Sequence, residues 1–99
     1  MNVQLLSINS NTQPRLYQIE VLIEGLLHQF NVTVESYTVA NREIQVTNGD
    51  NKFSEIFKFN QIIAGNICQL VAQFHNHQSV ELPQEIGEFY SDKSELTQV

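Results

Sequence analysis

The stretch YQIEVLIEGLLHQFNVTV, residues 17–34, decides the fold. Before Gly25, Tyr17, Ile19, Val21 and Ile23 are apolar at every second position. After it, Leu26, Phe30, Val32 and Val34 keep the same period, with only His28 interrupting. Period two is the signature of strands with one buried face. With Glu24-Gly25 as a two-residue loop, Ile23 faces Leu26, Val21 faces His28, Ile19 faces Phe30 and Tyr17 faces Val32. All of these side chains then share one face of an antiparallel ribbon. The other face reads Gln18, Glu20, Gln29, Asn31, Thr33 and Glu35, polar apart from Leu22 opposite Leu27. A loop one residue longer would turn one strand over and mix the faces, so the register is strongly specified.

Working outward, Val3 to Ile8 is a short apolar run expected to form a first strand, and Asn9 to Pro14 is turn chemistry closed by a proline. Ala40-Asn41-Arg42 is a weak break. Beyond it, Glu43 to Thr47 reads as another strand with Ile44 and Val46 pointing inward. Asn48-Gly49-Asp50 is a strong turn signal, because Asn-Gly readily supplies two positive φ angles. Residues 52–58 admit two readings. With period two, Phe53, Phe57 and Phe59 share a strand face and complete a second hairpin with 43–47. With helical spacing, Phe53, Ile56, Phe57, Asn60, Ile63, Ala64, Ile67, Leu70, Val71 and Phe74 form one stripe. The strand is favoured for 52–58. A helix capped by Asn60 and running to about Asn76 is expected next.

The C-terminal part is ambiguous in another way. Val80 to Pro83 is extended, since a residue before proline avoids the helical region, yet Pro83 is also able to open a helix. Leu82, Ile86, Phe89, Tyr90 and Leu96 recur with helical spacing, and Glu81, Glu85, Glu88, Asp92 and Glu95 run beside them. Gly87, Ser91 and Ser94 weaken that helix. The expected fold is α+β: an antiparallel sheet of four or five strands, one long helix packed on one face, and a short C-terminal element. The 99 residues suffice for one core, expected over residues 1–90, with a frayed acidic tail at 91–99.

Composition narrows the functional classes. Charged residues make up 16% of the chain and Asn plus Gln supply 21 positions, so fields are weak except where carboxylates cluster. The net charge of −6 disfavours nucleic acid and anionic membranes as partners. One cysteine, Cys68, excludes an internal disulfide framework. No basic segment followed by a long apolar run opens the sequence, and a cytoplasmic protein is the expectation.

No motif announces a reaction. His75 and His77 sit two apart near a helix end, where they point in different directions and favour the helix dipole rather than a shared metal. Cys68 flanks the apolar stripe with few cations to activate it. The glycines are isolated, so no phosphate-cradling loop is present. No cofactor or metal is expected, and a catalytic role is not. The acidic stripe with its neighbouring aromatics, Glu81, Glu85, Glu88, Phe89, Tyr90 and Asp92, is the candidate interaction surface.

Width supplies the functional expectation. A sheet of five strands is roughly 20 Å wide, and a helix is about 10 Å across, so apolar surface is left for something else to cover. The leading expectation is a non-enzymatic interaction protein or accessory subunit, a homodimer or the partner of another protein. The alternative is a small-molecule-binding domain with a pocket between helix and sheet, lined by His28, Phe30, Phe57, Ile63 and Phe74. An enzyme using that pocket, with His28 as acid or base, is the third reading.

Overall fold

The computed structural model describes residues 2–77 and 79–90. In chain order the elements are β1 (Asn2–Ser10), β2 (Leu16–Ile23), β3 (Leu26–Val39), β4 (Arg42–Gly49), α1 (Asn51–Ile56), α2 (Gln61–His77) and β5 (Gln84–Glu88). The strands form one antiparallel sheet of five in the order β4-β3-β2-β1-β5. The expected tail at 91–99, with Asp92, lies outside the described residues.

The central ribbon has the register that its alternation implies: Ile23 opposite Leu26, Val21 opposite His28, Ile19 opposite Phe30 and Tyr17 opposite Val32. Glu24 and Gly25 both take positive φ, 51° and 79°, as a two-residue hairpin loop requires. In β1 the pairing shifts between Leu5 and Ser7. The extra residue there, Leu6, lets odd-numbered Val3 and Leu5 and even-numbered Ile8 all reach the core, where each is buried. A second bulge shifts the β1–β5 pairing between Val3 and Gln4, and it turns Ile86 inward. Gly87 beside it has a φ of 135°, and a Cβ there would lie 3.1 Å from Ile63 Cγ1. Both the backbone angle and the close approach of the helix call for glycine.

Helix α2 lies on the core face and buries Ile63, Ile67 and Val71. One flank meets β5, where Asn66 Nδ2 donates to the Ile86 carbonyl at 3.0 Å. The other meets β4, where the side-chain amides of Gln45 and Asn76 exchange two hydrogen bonds of 3.0 and 2.9 Å. Helix α1 covers more of the same face. Its Phe53 packs edge-on against Phe30 and lies beside Phe57, so the three rings form one cluster.

Two expectations are corrected, and one left open is resolved. Residues 52–58 are not a strand: α1 begins at Asn51, because the Asp50 carboxylate accepts the Phe53 N–H at 2.9 Å and caps the helix. Asn48 and Gly49 thus end β4 and Asp50 caps α1, with no hairpin turn between them, and Phe59 is exposed instead of joining the apolar face. In β4 the inward side chains are Gln45 and Thr47, because the pairing places Ile44 opposite Tyr37 and Val46 opposite Glu35 on the open face. Residues 84–88 form a strand rather than a helical turn, since pairing with β1 satisfies their backbone at the sheet edge. Asn60 does precede α2, and its carbonyl accepts the Ala64 N–H at 3.0 Å.

Candidate interaction surfaces

β3 is 14 residues long and outruns β2. The last β2 pair is Leu16 with Thr33, and the Val34 N–H still donates to the Arg15 carbonyl at 2.9 Å. Beyond Val34, β3 pairs with β4 alone. The two strands make an arm closed by Ala40-Asn41, whose φ angles of 50° and 64° fit a two-residue loop with both φ positive. One face of the arm, continuous with the open face of the sheet, carries Tyr37, Val39, Ile44 and Val46. The first three are 49%, 54% and 45% exposed, so among the described residues nothing covers this apolar face. The Tyr37 hydroxyl donates to Glu35 at 3.0 Å, and that carboxylate raises the phenol's pKa by accepting the proton's hydrogen bond and by its charge.

The two sheet edges differ in kind. Edge strand β5 has five residues, carries a bulge, follows Pro83, and exposes Glu85 and Glu88, with Glu81 just before it. Shortness, charge, a bulge and a proline are the features that keep an edge from pairing with another chain. Edge strand β4 has none of these beyond one Arg and one Glu across eight residues, and its register with β3 runs without a shift. Which of its backbone groups face away from β3 follows from one bond. The Asp50 N–H donates to the Asn31 carbonyl at 2.9 Å, so 31 and 50 form a hydrogen-bonded pair. Such pairs alternate along an antiparallel ladder. Residues 42, 44, 46 and 48 therefore aim their backbone groups at β3, while Glu43, Gln45 and Thr47 aim theirs outward. Beside this edge a groove of about 410 Å³ runs between β4, α1 and α2, past Thr47, Phe53, Gln61, Ala64, Gly65 and Cys68.

At the opposite end of the ribbon, Ile23, Glu24, Leu26, His28, Ile56 and Phe89 line an open cleft of about 380 Å³. His28 is half-buried there and stacks in parallel on Phe30, with centroids 6.0 Å apart. The residues expected to line one pocket are dispersed. Phe30, Phe57 and Ile63 are buried core side chains. Phe74 lies toward the far end of α2, packed edge-on against Tyr17 at 5.8 Å. His28 borders this cleft, and Phe57 also lines the groove beside β4.

The acidic candidates end on the β5 edge instead of a helix face. Glu81, Glu85 and Glu88 are exposed, and Glu85 accepts from Asn2 Nδ2 at 3.1 Å. Phe89 is half-buried and faces Phe57 at 6.3 Å. Tyr90 is exposed as a side chain, but its backbone is held by Asn60. His75 is tied to the fold, its Nδ1 lying 2.6 Å from the hydroxyl of buried Tyr17. Cys68 is half-buried, and burial pushes its thiol pKa up, away from the thiolate that nucleophilic chemistry needs. Among the described residues no group of three or more His, Cys, Asp or Glu side chains is placed to hold a metal ion, and no helix is long and apolar enough to cross a membrane.

The arm was missed by reading the sequence alone, although its signals are present. Glu35 to Val39 and Arg42 to Val46 alternate in phase across Ala40-Asn41, and asparagine tolerates a positive φ. Comparison with family models, curated proteins and solved structures finds no match to this chain.

Proposed function

We propose that this is a non-enzymatic interaction protein of the cytoplasm that works by self-association. One observation carries the reading: the β3–β4 arm extends beyond the rest of the sheet with Tyr37, Val39 and Ile44 exposed together on one face. A two-stranded ribbon is marginal alone in water and is stabilised by a third layer or a further strand. Aromatic and aliphatic side chains grouped on an otherwise polar surface are the usual anchors of a contact. The test is the mass in solution. Light scattering at micromolar concentrations is expected to report about twice the 11.4 kDa chain mass. Tyr37→Lys with Ile44→Lys, both on exposed positions, is expected to return the mass to that of one chain. A wild-type monomer over a hundredfold concentration range overturns the reading.

The cleft at the other end supports a second reading, binding of a small apolar molecule. Ile23, Leu26, Ile56 and Phe89 supply apolar walls, and the His28 imidazole supplies one polar group for orientation. A ligand screen by melting temperature tests it: a shift that Phe89→Ala abolishes supports the site, and the absence of any shift across small aromatic and aliphatic compounds counts against it.

A further inference from the structure

We infer that the free edge of β4 pairs antiparallel with β4 of a second copy, centred on Gln45, so that two five-stranded sheets join into one of ten strands. The inference rests on the self-association proposed above and specifies its contact.

The edge itself is the first ground. Glu43, Gln45 and Thr47 hold their backbone N–H and C=O groups outward in a strand of eight residues with no bulge and no proline. β5 is guarded and β4 is not, so the two edges are not equivalent sites for a further strand.

Charge decides what kind of strand fits. The chain carries a net −6, so a second copy is repelled over most of its surface. The arm holds only Glu35, Arg42 and Glu43, and is close to neutral. A basic partner would be drawn instead to the β5 edge with Glu81, Glu85 and Glu88. The near-neutral β4 edge suits a copy of itself.

The sequence of β4 completes the case, because it is complementary to itself when reversed. Backbone hydrogen bonds across the new junction require outward-facing residues to meet one another. With Gln45 opposite Gln45, Glu43 meets Thr47, Ile44 meets Val46 and Arg42 meets Asn48, an overlap that spans residues 42–48 of both copies. No like charges face each other. Centring on Glu43 would bring two carboxylates together and shorten the overlap. In the Gln45 register the apolar row of Tyr37, Ile44 and Val46 on the open face continues without a break into the same row of the second copy. On the helix face, the second copy's Glu43 comes opposite Thr47, at the rim of the groove that Ala64, Gly65 and Cys68 also line.

The parity of the edge provides the experiment. Gln45→Pro deletes an N–H that points away from β3, so the β3–β4 ladder keeps its bonds. It is expected to leave the far-ultraviolet circular dichroism of the monomer intact and to abolish the dimer in sedimentation. Since Gln45 also pairs with Asn76, Glu43→Pro repeats the test at a second position whose N–H points outward. Register is read separately with Ile44→Cys and Val46→Cys combined on a Cys68→Ala background. Oxidation is expected to give a covalent dimer in high yield, because 44 and 46 come directly opposite as a close, non-hydrogen-bonded pair. A dimer that survives both prolines overturns edge pairing while leaving self-association standing. A dimer lost with the prolines but not captured by the cysteines overturns the Gln45 register. A wild-type monomer overturns both this inference and the reading on which it rests.

Discussion

The side chain of Asn60 grips the backbone of Tyr90 on both sides: Nδ2 donates to the Tyr90 carbonyl at 2.9 Å, and Oδ1 accepts the Tyr90 N–H at 2.7 Å. An amide here does for one residue what a neighbouring strand would do. It ties the residues just after β5 to the start of α2 and leaves buried Asn60 with both polar atoms paired. Asn60→Ala is expected to cost about 1–3 kcal/mol, the range for losing hydrogen bonds at a buried site. Urea denaturation measures it. An unchanged midpoint would mean that residues 89–90 are not anchored in this way.

Gly49 and Gly65 are expected to respond oppositely to alanine. A Cβ on Gly49 would fall on the ring of Phe53, which is held between Phe30 and Phe57. Gly49→Ala is therefore expected to lose about 1–3 kcal/mol through overpacking. Gly65 lies inside α2, and a Cβ there would meet nothing within 4 Å. Gly65→Ala is expected to gain roughly 0.5–1 kcal/mol from helix propensity. Melting temperatures of the pair, moving in opposite directions, check both statements.

Ala40 occupies the left-handed region with a φ of 50° at the tip of the arm. Alanine has no local hydrogen bond to recompense that conformation. Ala40→Gly is expected to raise stability by about 0.5–1 kcal/mol in a urea titration. A loss of stability would show that the arm turns elsewhere.

Burial raises the pKa of Cys68, so its reactivity should be masked by the fold. Alkylation by iodoacetamide at pH 8 is expected to be slower than for free cysteine, and to recover in denaturant. The sign of the linked stability follows. The folded state holds the thiol proton more tightly than the unfolded state does. The associated stability is complete below the ordinary thiol pKa and declines as the pH rises through the folded-state value. A thermal melt series from pH 7 to pH 10 on wild type and Cys68→Ala reads the difference.

The central ribbon was legible because its alternation leaves one register that buries every large side chain. The α1 segment was not, because Phe53, Phe57 and Phe59 satisfy period two as well as helical spacing. The deciding group is the Asp50 carboxylate at the N-cap, which competes with the turn signal of Asn48-Gly49. β5 was obscured by its bulge: the extra residue at Ile86 and the positive φ of Gly87 break strand alternation and leave spacing that resembles a helix. Among the candidate site residues, His28 was placed on the core face beside the hairpin, where it lies. Of the expected pocket walls, Phe30 packs against Phe53 and Phe57 in the core, while Phe57 also lines the groove beside β4. The arm's alternation is present in the sequence, but that β3 outlasts β2 is a difference in strand length that alternation does not report.

Residue-resolved amide hydrogen exchange at two protein concentrations tests edge pairing most directly. The N–H groups of Ile44 and Val46 point to β3 and are expected to be protected at both concentrations. Those of Glu43, Gln45 and Thr47 point outward. They are expected to exchange freely in dilute protein and to become protected at high concentration, when a second β4 covers them. Fast exchange at 43, 45 and 47 at every concentration, with 44 and 46 protected throughout, would contradict the pairing of β4 with its own copy.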